Sequence, residues 1–164
     1  MSLFSRRSLP PELAELVGKA RVLARSASAG RPVLGLTDRL IYPTDGGWSE
    51  IAWHEIERGG WDNATRQLNW STVDGTWVAV ELDDPGRIPQ LFQERVNATV
   101  AYSRHLEFDG HHSVVISARR SLVDVAAPLI WHLTPGKRTT AEQAAASTEV
   151  ELELRRLRRD FDLG

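Results

Sequence analysis

The run His54-Glu55-Ile56-Glu57-Arg58 begins as a zinc-protease site does, with a histidine followed at once by a glutamate. That chemistry needs a second histidine four residues after the first, on a helix, so that both rings share one face and reach the metal. Position 58 is arginine, and Ile51 and Trp53 alternate with polar neighbours at the period of a strand. Neither requirement is met. His111 and His112 follow an Asp109-Gly110 turn signal and read as an exposed polar loop, while His105 and His132 have no partner at ligand spacing. The chain has no cysteine, which excludes disulfides, thiolate ligands and thiol nucleophiles. No metal site and no cofactor is expected.

Acid–base catalysis needs two titratable groups aimed into one cleft. The adjacent carboxylates are Asp83-Asp84, Glu55-Glu57 and Glu149-Glu151-Glu153. The first pair fits the start of a helix and the last three fit a solvated helix face. No nucleophile elbow, phosphate-binding glycine loop or dinucleotide fingerprint occurs. No catalytic residue is assigned, and the chain reads as a non-enzyme. Arg155, Arg156, Arg158 and Arg159 put four cations in five residues, but three glutamates precede them on the same helix. Glu151 and Arg155 stand at i,i+4, and cations suit a helix C-terminus. With a formal net charge of −2 there is no basic field for nucleic acid, and none is expected as a partner.

The tryptophans need a place. Trp53, Trp61 and Trp70 fall on the inward parity of their strands, as core fillers. Trp48 and Trp77 fall on the other parity, where each serves either as a contact surface or as packing under an appended element.

A chain of 164 residues suits one domain with an appendage. No apolar run reaches the roughly 20 residues of a membrane span. The opening "MSLFSRRSLPPEL" lacks the apolar stretch of a secretory signal, so a cytoplasmic location is expected, with peripheral membrane association as the alternative. Lys19 and Lys137 are the only lysines among 20 basic residues, a bias typical of a GC-rich bacterial genome.

The elements that position these residues follow from spacing. "PPELAELVG" is a short helix with prolines at its start and Gly18 at its end. Between Ala20 and Leu82 short strands alternate with turns: "RVLARSAS", "VLGLT", "RLIYP", a strand through Ile51 and Trp53, one through Ile56 and Trp61, then "RQLNWST" and "WVAVEL". Gly59-Gly60 suggests a bulge or sharp coil. In the last hairpin, a three-residue loop Val73-Asp74-Gly75 sets Trp70 opposite Val78 and Leu68 opposite Val80. Only that register gives one coherent apolar face. Next comes a helix with Asp84 as N-cap and Pro85 at its first position, carrying Ile88, Leu91, Phe92, Val96 and Val100 as its apolar stripe.

Seven short strands followed by one amphipathic helix is the order of a pleckstrin-homology-like (PH-like) domain. The stretch "VLGLTDRLIYPTDGGWSEIAWHEIERGGW" resembles the bacterial PH-like and GRAM-like domains in its threonine-aspartate-arginine turn leading into a leucine-bearing strand. The positions carrying the likeness are Thr37, Asp38, Arg39, Leu40, Trp53, Glu55 and Ile56, within about residues 19–102. The resemblance implies an α+β fold: a barrel of about seven antiparallel strands closed by the helix. The expected segments are a tail and short helix at 1–18, the barrel and its helix at 19–102, a β-extension at 103–138 and a C-terminal helix at 139–164. The basic pattern that binds inositol phosphates in such domains is incomplete. Lys19, Arg21, Arg25 and Arg31 are scattered and Val33 stands at a basic position, so anionic lipid binding should be weak or absent.

These readings converge on a non-catalytic interaction module that meets a protein partner or a second copy. The candidate contact residues are Trp48, Trp77 and the C-terminal stripe Val150, Leu154, Leu157 and Phe161, spaced by four, three and four. Lipid or membrane-surface binding by the barrel is the first alternative. A small-molecule-binding protein or weak enzyme is the second.

Overall fold

Two prolines set the start of the first helix, where a missing N–H costs nothing. Helix α1 runs Pro11–Val17 and ends at Gly18, whose φ of 57° suits a residue without a Cβ and whose N–H donates to Ala14 O. The computed structural model describes residues 9–162, so the first eight residues of the tail and short helix expected at 1–18 lie outside the described residues. The chain divides into two units, residues 1–98 and 99–164.

In the first unit, β1 (Val22–Ser28), β2 (Arg31–Leu36), β3 (Arg39–Thr44) and β4 (Gly47–Ala52) form an antiparallel sheet in that order. β5 (Ile56–Asp62), β6 (Gln67–Thr72) and β7 (Trp77–Glu81) form a second one. Helix α2 (Ile88–Thr99) follows. The β1–β2 turn has two central residues at positive φ, Ala29 (48°) and Gly30 (78°), the primed geometry that matches strand twist.

Leu34, Leu36 and Ile41 pack with Leu13 and Val17 of α1 on one face of the four-stranded sheet. The other face looks into the aromatic core. There Tyr42 meets Trp70 edge-on at 5.1 Å, and Phe92 of α2 meets Trp53 at 6.0 Å and Trp70 at 6.1 Å. A sheet covered on both faces explains why Val33 to Leu36 are buried without a break instead of alternating.

The β6–β7 hairpin adopts the register expected from its alternation, Trp70 opposite Val78 and Leu68 opposite Val80. Thr72 N donates to Thr76 O at 2.9 Å, and Gly75 at φ 91° takes the left-handed place in the loop.

The two sheets share a core, and among the described residues no ladder joins them and no closed barrel is found. Other expectations are corrected. Trp53–Glu55 is a turn of 3-10 helix, where the chain passes from one sheet to the other and Trp53 N donates to Asp38 O. The bulge lies between Ile56 and Arg58. Gly59 answers a different need: a Cβ there would lie 2.7 Å from Phe92 Cζ and 2.8 Å from Trp70 Cβ. Asp84 does not cap α2. Its carboxylate accepts from Gly86 N at 3.2 Å, and Gly86 at φ 50° delays the helix to Ile88. Val100, placed on the helical stripe by spacing, begins the next strand.

The second unit holds a separate three-stranded sheet, ordered β10-β9-β8, from β8 (Val100–Phe108), β9 (His112–Arg119) and β10 (Ile130–Pro135). The single terminal helix expected is two. α3 (Ala141–Ala146) starts with a capping box, Thr140 Oγ1 accepting from Gln143 N and Gln143 Oε1 from Thr140 N. Ser147 breaks the run with extended backbone (φ −74°, ψ 122°), and α4 continues over Thr148–Asp162.

Candidate functional site

The residues singled out by spacing go to different places. Trp53 and Trp70 are buried in the core, with Trp53 Nε1 donating to Leu36 O at 2.9 Å. Trp61 has the inward parity expected of it but sits at the sheet's end, opposite Leu68, and is only half-buried. Trp48 is half-buried against the α1 cluster, its Nε1 donating to Pro32 O and its ring covered by the Arg31 guanidinium at 4.6 Å. It packs beneath an added element. Trp77 is 61% exposed, with Arg58 5.4 Å from its ring, and offers open aromatic surface.

The stripe on α4 is not an open docking face. Val150 and Leu157 are buried with Phe108, Val114, Ile116 and Ala144, and Leu154 packs against them. Phe161 lies at the rim, 5.0 Å from the Tyr102 ring and 5.7 Å from Trp131. The expected contact surface is therefore the inner face of a helix covering its own sheet, since a 3.6-residue period cannot distinguish a neighbour in the chain from a partner.

The charged helix is self-compensating. Glu153 accepts from Arg156 and from Arg104 of β8, and Glu151 pairs with Arg155 at 2.6 Å. The Arg156 guanidinium, first, and the charge of Arg104 hold the Glu153 carboxyl below the ordinary glutamate range. His112 Nδ1 lies 3.1 Å from Arg138 O, a loop contact. No group of three or more histidines, cysteines or carboxylates is gathered for a metal among the described residues.

What spacing did not reveal is a groove of about 750 Å³ along β1, lined by residues 21–27 and by Asp83, Asp84, Gly86 and Arg87. β1 is an edge strand, with β2 on one side only. Because Ser28 and Arg31 close the hairpin, the alternation of an antiparallel pair turns the backbone groups of Ala27 and Arg25 away from β2. Ala27 O accepts from Asp83 N at 2.8 Å on that outer side.

The opposite wall is fixed by the β1–β2 turn. The Asp83 carboxylate takes Ala29 N on Oδ1 (3.0 Å) and Gly30 N on Oδ2 (2.8 Å). Ser26 Oγ donates to Asp84 O, and Arg66 donates to Asp83 O. Here is the role of the adjacent carboxylates: they fasten the segment before α2 to the hairpin, so the groove has two held walls. Arg21, Arg25 and Arg87 bring three guanidinium groups to it. The arrangement offers strand backbone and cationic donors, the equipment for holding an extended anionic chain.

Arg21 and Arg25 carried a signal in the sequence only as members of a failed inositol-phosphate pattern. The polar, arginine-bearing run of β1 fits an edge strand, but the groove beside it also needs residues 83–87, which no spacing in β1 shows. No protein-family model, curated protein or solved structure matches this chain.

Proposed function

We propose that this protein is a non-catalytic interaction module whose recognition site is the groove beside β1, and that its first unit is a PH-like domain. The four-plus-three order of antiparallel strands followed by an amphipathic helix supports the fold part of the reading. The observation that carries the function is the groove itself: an edge strand facing a wall held by the Asp83 carboxylate, with arginines on both sides. Such an edge binds other chains through main-chain hydrogen bonds, which no catalytic group is needed to make. The partner is a protein, and the site works without a cofactor.

Affinity co-purification from native lysate tests this with the intact chain and an Arg21→Glu/Arg87→Glu variant. A partner retained by the intact chain and lost from the folded variant supports the reading. A partner set shared fully by both would remove the groove from the interaction.

A further inference from the structure

We infer that the groove beside β1 takes an acidic peptide segment in extended conformation, added to the edge of the four-stranded sheet with its carboxylates against Arg21 and Arg87. This rests on the reading of the groove as a recognition site and names the partner's chemistry.

Three observations converge on it. The first is shape. The long wall is strand backbone from Val22 to Ala27, preceded by Arg21 and bulged between Val22 and Ala24, and a strand's edge is matched by another strand. Gly86 closes on Arg25 O, so the open stretch from Arg21 to Ala24 suits a peptide of about three to four residues at roughly 3.3 Å each.

The second is charge. Arg21 and Arg87 are exposed, and among the described residues neither enters an ion pair. The two carboxylates that line the groove are turned to backbone N–H groups: Asp83 to the β1–β2 turn and Asp84 to Gly86. The cationic end is therefore at Arg21, and an acidic segment gains most there.

The third excludes β1 of a second copy as the occupant. The β1 sequence Val-Leu-Ala-Arg-Ser-Ala-Ser and the preceding Arg21 contain no acid, so β1 pairing with its own copy would set like-charged strands edge to edge. A bilayer is also disfavoured, because a recess along a strand presents few groups to a flat surface at once.

The probe is a fluorescein-labelled octapeptide alternating glutamate and valine, titrated by anisotropy into the intact chain. Its controls are the glutamine-valine analogue and vesicles of phosphatidylcholine with phosphatidylserine. The expected result is binding of the glutamate peptide that weakens with salt and falls about tenfold or more in Arg21→Glu/Arg87→Glu. The amides of residues 21–25 should exchange more slowly with solvent when the peptide is bound. Equal binding of the glutamine peptide, with the same amides protected, overturns the acidic preference and leaves the groove as a peptide site. Protection elsewhere in the chain, or no peptide binding, overturns both. Vesicle binding lost in the same variant, without peptide binding, replaces the peptide with a lipid surface. A circular dichroism melt of the variant, and the milder Arg87→Gln, separate loss of binding from loss of fold.

Discussion

Arg39 joins three parts of the first unit through one side chain. Its Nη1 donates to both Asp38 oxygens at 2.8 Å, its Nε to Glu50 Oε2 at 3.0 Å, and its Nη2 to Leu16 O at 2.6 Å at the end of α1. A cation at the exposed carbonyls of a helix C-terminus is favourable, and only the guanidinium fork has donors enough for all of these contacts. Arg39→Ala should cost about 2 kcal/mol in urea unfolding, within the range for hydrogen bonds to charged groups, and Arg39→Lys should recover only part of it. Gly59 makes the complementary case, a residue defined by what it lacks. Its missing Cβ leaves room for the Asn69 carbonyl, 2.4 Å from where a Cβ would lie, and for Trp70 and Phe92, so Gly59→Ala should destabilise by about 1–3 kcal/mol through overpacking, measured by thermal melts. The threonine-aspartate-arginine turn was legible as a motif, but its work of clasping α1 was not. The clasp depends on where α1 packs.

Among the elements, α4 separates what periodicity tells from what it leaves open. The spacing of Val150, Leu154 and Leu157 identifies the apolar face correctly, and the sheet of β8, β9 and β10 covers it. Leu157→Ala should cost about 2–4 kcal/mol, whereas Leu152→Ala, at a side chain 60% exposed, should change stability by less than about 0.5 kcal/mol. Paired denaturant titrations read both. The same helix carries a pH dependence. The folded-state pKa of Glu153 is depressed by Arg156 and Arg104, so its contribution is present above the unfolded value and is lost as pH falls through the folded one. The stability difference between the natural chain and Glu153→Gln should shrink between about pH 6 and pH 3, as acid-titrated unfolding curves would show. The break at Ser147 was invisible in composition, because alanine, serine and threonine give no stop signal as sharp as glycine or proline.

At the scale of the whole molecule, alternation yielded strand identity and the β6–β7 register, since a one-residue slip there exposes every apolar side chain. The short first helix and the stripe of α2 were equally legible. The way strands gather into sheets was not. The seven strands of the first unit divide four and three around an aromatic core, and the last three strands form a sheet of their own. The groove belongs to this level, since it needs β1 at an edge and a segment about 58 residues later fastened beside it by Ser26 and Asp84. No window of sequence contains both walls.

The most direct measurement is site-specific photo-crosslinking in living cells, with the photoreactive residue placed at Leu23 in the groove or at Trp77 on the open aromatic surface. Recognition by the groove predicts a discrete protein adduct from position 23 that is absent from position 77. Adducts from position 77 alone would move the recognition surface to the outer face of the second sheet and contradict the assignment of β1.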